Sequence, residues 1–160
     1  MSMTATIETV LSQENLLEAM ESFEGKRDSC GVDGVKLSEL EEYWETNGEK
    51  IKKTILQGEY SLGYVKQQEI MNAKGKKRTI SLMNTVDRFI YRALMQVLAK
   101  EWTPQFSEYS YAYQDHKGIK QAVEQAAEYM EKGYLWCVEL DIQNFFDNIN
   151  HDILLQKVKK

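Results

Sequence analysis

The 160-residue sequence has one proline, Pro104, and two cysteines, Cys30 and Cys137. A single proline leaves few rigid turns. Two cysteines so far apart form no disulfide framework and supply no spaced set of zinc ligands. They predict a reducing, cytoplasmic compartment. The sequence also lacks any apolar run of the roughly 18 residues that a membrane helix needs, so no membrane partner is expected. Its N-terminus has no basic segment followed by an apolar one, which predicts no secretory leader. A basic surplus is lacking as well: 20 Lys and Arg face 25 Asp and Glu, for a net charge of −5. General nucleic-acid binders carry the opposite balance. That excludes a wholly basic surface and leaves room for a local basic face. No internal repeat, low-complexity segment or flexible linker is visible.

What is present suits one domain with a real core. Apolar residues make up 42% and charged residues 28% of the chain, an ordinary globular composition. Ser12 or Gln13 opens a helix with Leu16, Leu17, Met20 and Phe23 on one face, and Gly25 is expected to stop it. Cys30-Gly31-Val32-Asp33-Gly34-Val35 reads as a two-glycine loop. Ser38 is expected to cap a second helix, with Leu40, Tyr43 and Trp44 inward. Asn47-Gly48 should interrupt it, and a further piece, Glu49 to Gln57, should stop at Gly58. From Tyr64 the pattern shifts towards period two. Tyr64 to Met71 and Lys76 to Leu82 predict a β-hairpin whose tip gathers Lys74, Lys76, Lys77 and Arg78.

Asn84 or Thr85 caps the strongest helix. Its stripe is Val86, Phe89, Ile90, Ala93, Leu94, Val97 and Leu98, ending near Trp102. Asp87 and Arg88 at its start read as a local ion pair. Phe106 to Tyr113 is an aromatic loop. Gly118 opens another amphipathic helix, with Ile119, Ala122, Val123, Ala126, Ala127 and Met130 on its apolar face, and Gly133 ends it.

The organising stretch runs from Tyr134 to Asp152. Tyr134 to Leu140 is mostly apolar and predicts a buried strand. Asp141 follows directly, then Phe145-Phe146-Asp147, with Asn148 or Asn150 capping a helix near His151. A rigid strand that delivers a carboxylate from its end makes a good metal platform, although a lone Asp more often ends a strand or begins a turn.

This Asp is not alone. The series of apolar strand, Asp141, three residues, Phe145-Phe146-Asp147 and Asn150-His151-Asp152 resembles the first palm motif of reverse transcriptases, in the form seen in group II intron-encoded enzymes. Upstream segments arrive in matching order. They are the Gly31-Val32-Asp33-Gly34 loop, the basic hairpin, the Asp87-Arg88 pair, and Phe106-Ser107 with Ser110-Tyr111. The resemblance extends from about Asn15 to Leu155. It implies a helix-rich α+β fold: fingers with a β-hairpin over residues 1–132, and the first part of the palm over 133–160, cut off after the first catalytic Asp motif.

The activity so implied is that of an RNA-directed DNA polymerase, a nucleotidyltransferase of a bacterial mobile element. Its partners would be an RNA template, a DNA primer and deoxynucleoside triphosphates, with intron RNA added by a maturase role. Its cofactor would be Mg²⁺, with two ions in the complete enzyme. Such ions sit roughly 3.5–4 Å apart and serve the attacking and leaving oxygens. They require hard oxygen ligands. By resemblance, Asp141 is the catalytic carboxylate that bridges both ions, and the backbone carbonyl of Ile142 adds a ligand. Arg78 would clamp the triphosphate, since guanidinium binds phosphate bidentately, with Lys77 as helper. Phe146 would lie under the sugar and exclude a 2′-hydroxyl, while Phe145 packs in the core. Lys74, Lys76, Tyr111 and Tyr113 would face nucleic acid.

Some family features are replaced. Met71 and Asn72 stand where a lysine and proline are usual, Thr79 where a proline follows the arginine, Ala112 for a glycine and Gln114 for an arginine. The family's aromatic-x-Asp-Asp turn, which supplies further metal ligands, does not occur. The 160 residues alone are therefore expected to be inactive. Two rivals stand beside this reading. One is a catalytically inert RNA-binding or regulatory module, favoured by Asn72, Gln114 and the acidic balance. The other is a defence or diversity-generating reverse transcriptase.

Overall fold

The computed structural model describes residues 5–24, 30–71, 73, 75, 77–114 and 116–158. They fall into two compact units, Met1–Glu108 and Tyr109–Lys160. The first holds α1 (Ile7–Val10), α2 (Gln13–Glu21), α3 (Leu40–Leu56), β1 (Lys66–Met71), β2 (Lys77–Leu82) and α4 (Thr85–Trp102). The second holds α5 (Ile119–Glu131) and α6 (His151–Val158). The strands pair antiparallel, from Lys66 opposite Leu82 to Met71 opposite Lys77. The result is a helix-rich α+β fold with one hairpin, as the sequence predicts.

The core of the first unit forms around α4. Val86, Phe89, Ala93 and Val97 lie against Val10, Leu16, Ala19, Leu37 and Leu40. Phe89 and Leu40 are fully buried, and each such side chain contributes roughly 2–3 kcal/mol. The edge of Trp44 meets Phe89 with ring centroids 4.7 Å apart. The buried line on α4 departs from the expected stripe. Leu94 is exposed and Gln96 is buried. The reason is an amide pair. Asn15 Nδ2 donates to Val10 O at 2.8 Å and to Ala93 O at 2.9 Å, and Gln96 Nε2 donates to Asn15 Oδ1 at 3.1 Å. Buried amides persist where they are hydrogen-bonded, and this pair fixes the register of α2 on α4.

Helix ends follow local chemistry. Ser12 Oγ accepts from Asn15 N and caps α2 as predicted. Gly25, expected to stop α2, lies outside the described residues; the helix ends already at Glu21. α1 is an element that the sequence reading passed over, although Thr6 caps it. Gly58 and Gly133 adopt φ of 70° and 92°. Each closes its helix with a paired motif: Gly58 N to Ile55 O with Glu59 N to Thr54 O, and Gly133 N to Met130 O with Tyr134 N to Tyr129 O. Both glycine stops are thus borne out.

Two expectations about α3 fail. Ser38 is no cap; it sits inside a 3₁₀ turn, Leu37–Glu39, that leads into the helix. That turn starts one residue earlier because the Glu39 carboxylate accepts from Lys36 N. Nor does Asn47-Gly48 interrupt the helix, which runs unbroken to Leu56. The Trp44 indole lies across Gly48, where an added Cβ would come within 2.9 Å of Trp44 Cε2. The missing side chain makes room for the ring, which outweighs the weak helix propensity of glycine.

Distant residues fix the base of the hairpin. Asp33 Oδ2 accepts from Thr85 N at 2.9 Å and so caps α4 from 52 residues away; of the two expected caps, Asn84 makes no such bond and Thr85 is the first residue of the helix. Thr85 Oγ1 donates to Val35 O at 2.6 Å. A Cβ on Gly31 would collide with Thr85, so only glycine lets the loop approach this closely. Asp87 is buried and accepts from the Tyr60 hydroxyl at 2.5 Å and from Gly63 N at 2.9 Å. The expected local pair with Arg88 gives way to this anchor, while the Arg88 guanidinium stands 5.9 Å from the Phe23 ring centroid.

The second unit differs. None of its described residues is buried. The strand expected over Tyr134 to Leu140 does not form, and Trp136 is 97% exposed. A strand needs a neighbour to satisfy its N–H and C=O groups. Among the described residues β1 and β2 pair only with each other, so no strand pairs with 134–140. No helix among the described residues is long and apolar enough to cross a membrane.

Candidate active site

Asp141 lies exposed, directly after the apolar segment. The chain beyond it turns sharply. Asn144 has φ of 49°, a left-handed value that asparagine tolerates. Asn148 N donates to Asn144 O at 3.1 Å, and the Asn148 side chain donates to the same oxygen at 3.0 Å. Asn148 N also donates to Phe145 O at 3.2 Å, and this bond closes a 3₁₀ turn over Phe146–Asn148. Asn150 Oδ1 then accepts from Ile153 N at 3.0 Å and caps α6, as predicted. The turn presents Phe145 and Phe146 edge to face, with centroids 5.3 Å apart. Phe146 is 75% exposed. Phe145 is also exposed, against the expectation of a core position, because its packing partner is the neighbouring ring.

Asp141 and the carbonyl of exposed Ile142 are hard oxygen donors of the kind that Mg²⁺ takes. They do not form a complete metal site. Among the described residues no three His, Cys, Asp or Glu side chains converge to hold an ion. Asp147 and Asp152 follow closely in sequence but do not join Asp141 in such a group.

In the first unit the hairpin presents Arg78 opposite Ile70 and Lys77 opposite Met71. Successive strand residues point to opposite faces. Arg78 and Lys77 therefore do not share a face. Lys77 pairs with Glu69 at 2.8 Å, and Arg78 is exposed. Lys74 and Lys76 lie outside the described residues, as does Asn72.

The aromatic loop divides its rings. Tyr109 lies 6.4 Å from Tyr129, which stands edge-on to Tyr134 at 5.9 Å. Tyr111 is half-buried, with Lys117 Nζ 5.8 Å from its ring centroid. Tyr113 is fully exposed, at φ of 57°. Gln114 Nε2 donates to Ser110 O at 2.9 Å and closes the loop.

The sequence reading missed Asp33, Tyr60, Gly63 and the buried role of Asp87. Burial, together with the bond to the Asp87 carboxylate, raises the Tyr60 pKa far above the ordinary phenol value. A glycine on each side of Asp33 was a signal for a tight loop. Nothing in sequence pointed from Tyr60 to Asp87.

Fold and motif together give a helix-rich α+β module with a basic hairpin in one unit and an exposed carboxylate before an aromatic turn in the other. Residues 65–160 match the family described as reverse transcriptase (RNA-dependent DNA polymerase). The chain belongs to the reverse transcriptase family. It is 24% identical over 134 residues to Protein YkfC of Escherichia coli (strain K12), a match covering 81% of this chain and 35% of that protein. It is 22% identical over 111 residues to the putative COX1/OXI3 intron 1 protein of Saccharomyces cerevisiae (69% of this chain, 13% of that one). The putative COX1/OXI3 intron 2 protein of the same yeast is 24% identical over 124 residues (78% and 14%). The chain thus spans about a third or less of the length of these relatives. A solved structure, the Cas6-RT-Cas1--Cas2 complex, superposes with a TM-score of 0.53 at 17% identity, covering 93% of this chain and 15% of that one. That likeness supports the fold. The family resemblance read from the motif is borne out, and two relatives are named as intron proteins. Members of this family act on nucleic acids and use divalent metal ions.

Proposed function

We propose that residues 1–132 are the fingers and 133–160 the start of the palm of a group II intron-type RNA-directed DNA polymerase. The observation that carries this reading is the Asp141 to Asp152 phrase, folded as an exposed carboxylate before a tight aromatic turn and a capped helix, inside the family match. Asp141 and the Ile142 carbonyl serve as metal ligands. Mg²⁺, when bound, stabilises charge on the attacking and leaving oxygens. Arg78 grips the triphosphate from its face of the hairpin, with Lys77 engaged by Glu69 until a stronger anion competes. Phe146 stands where a bulky ring discriminates by steric clash against a 2′-hydroxyl. Lys74, Lys76, Tyr111 and Tyr113 contribute to binding template and primer, and intron RNA is a further partner.

The test is extension of a DNA primer on an RNA template by the complete gene product, with deoxynucleotides and ribonucleotides compared. Extension with deoxynucleotides alone, relaxed by Phe146→Ala, supports the reading. The 160-residue chain by itself is expected to extend nothing, because among the described residues no three His, Cys, Asp or Glu side chains converge to hold an ion.

One observation favours the RNA-binding module as second reading. Lys77 and Gln114 are both committed to internal bonds. RNA binding by the complete gene product without any extension would select that reading.

A further inference from the structure

In the first unit α2 and α3 enclose a trough. Its floor is Leu16, Leu17, Met20, Trp44 and Phe89, under a cavity of about 460 Å³. A second cavity of about 340 Å³ shares Leu17, Met20 and Glu41 with it and continues past Phe23 and Leu37. Leu17 is 55% exposed although it belongs to the apolar face of α2.

The rim is acidic. Glu41, Glu45 and Glu49 occupy successive turns of α3, and Glu21 and Glu24 line the other cavity. Among the described residues the one basic lining residue is Lys52, which pairs with Glu49 at 2.9 Å. Among the described residues neither Glu41 nor Glu45 has an ion-pair partner. Like charges four apart on a helix repel, so this column disfavours the helix that carries it. The carboxylates line the trough rather than converge: no three of them come close enough to hold a metal ion. A nucleic acid is equally unsuited, since its phosphates would meet carboxylates.

An apolar floor between acidic rims is complementary to an amphipathic helix with basic flanks. We propose that this trough docks a basic amphipathic helix of a partner protein. Its apolar side chains would rest on Leu17, Met20 and Trp44, and its Lys or Arg residues would face Glu41 and Glu45. The proposal rests on the α2–α3 surface alone and is independent of the polymerase reading.

The test is fluorescence anisotropy of the whole chain with a labelled Leu/Lys peptide patterned as an amphipathic helix. A peptide of the same composition, scrambled to remove the apolar face, serves as control. The patterned peptide is expected to bind about tenfold or more tightly than the scrambled one, a difference of about 1.4 kcal/mol. Glu41→Lys with Glu45→Lys should weaken it about tenfold, and so should Leu17→Ser. All three positions are exposed, so the variants should keep the circular dichroism of the parent. Absence of binding would overturn the proposal. So would equal binding of both peptides, or indifference to Leu17→Ser, since either reduces the effect to charge alone. Direct binding of a labelled single-stranded RNA that Leu17→Ser abolishes would also overturn it and mark the trough as a nucleic-acid face.

Discussion

Residues Met1–Glu108 bury Phe89, Leu40, Ala93 and Ala19 almost completely, whereas no described residue of Tyr109–Lys160 is buried. Both units are equally well finished at the local level. Gly58 ends α3 as Gly133 ends α5, and Ser12 caps α2 as Asn150 caps α6. What differs is long-range contact. The first unit ties α4 to α2 through Asn15 and Gln96, and ties α4 to the loops through Asp33 and Asp87. The second keeps its rings in small clusters, Tyr109 with Tyr129 and Tyr134, and Phe145 with Phe146. Local sequence thus suffices to shape the turn after Asp141, while stability resides in the unit that carries the hairpin.

Substitutions should separate the two units. Phe89→Ala should cost about 3–5 kcal/mol in chemical denaturation, through the cavity it leaves. Val123→Ala on α5, where Val123 is 61% exposed, should shift stability by no more than about 0.5 kcal/mol. Equal losses would erase the distinction. Next in size, Asn15→Ala should cost about 1–3 kcal/mol, because it strands the Val10 carbonyl in the core and leaves the Gln96 amide only the residue 15 backbone carbonyl. Asp33→Ala should cost about 1 kcal/mol by removing the cap of α4, with faster hydrogen exchange at Thr85 as the specific sign.

The smallest effect concerns pH. The folded-state pKa of Tyr60 lies above its unfolded value of about 10. Its contribution is therefore complete below about pH 10 and is lost as pH rises towards the folded value. Tyr60→Phe should flatten that alkaline loss; an unchanged alkaline profile would remove Tyr60 from the anchor.

Much of this was legible in sequence where the cause is local. The hairpin, the stripe on α4 apart from Leu94 and Gln96, the two glycine stops and the Asn150 cap each follow from a few adjacent residues. Asp33 capping Thr85, Tyr60 meeting Asp87, and Trp44 covering Gly48 were not legible, because each depends on which surfaces meet after folding. The apolar run from Tyr134 to Leu140 misled for a related reason. Its composition suits a strand, but a strand is a property of two segments. In the site, the Asp141 phrase was legible as a motif. The opposite faces of Lys77 and Arg78 needed the observed register, and the bond between Gln114 and Ser110 needed the folded loop.

The most direct measurement is RNA-templated primer extension by the complete gene product beside its Asp141→Ala variant, with circular dichroism to confirm that both fold. Extension by the parent and none by the variant is the expected result, and makes Asp141 the metal-binding carboxylate of a reverse transcriptase. Extension by the variant at the parental rate would contradict that assignment and return Asp141 to an ordinary turn residue.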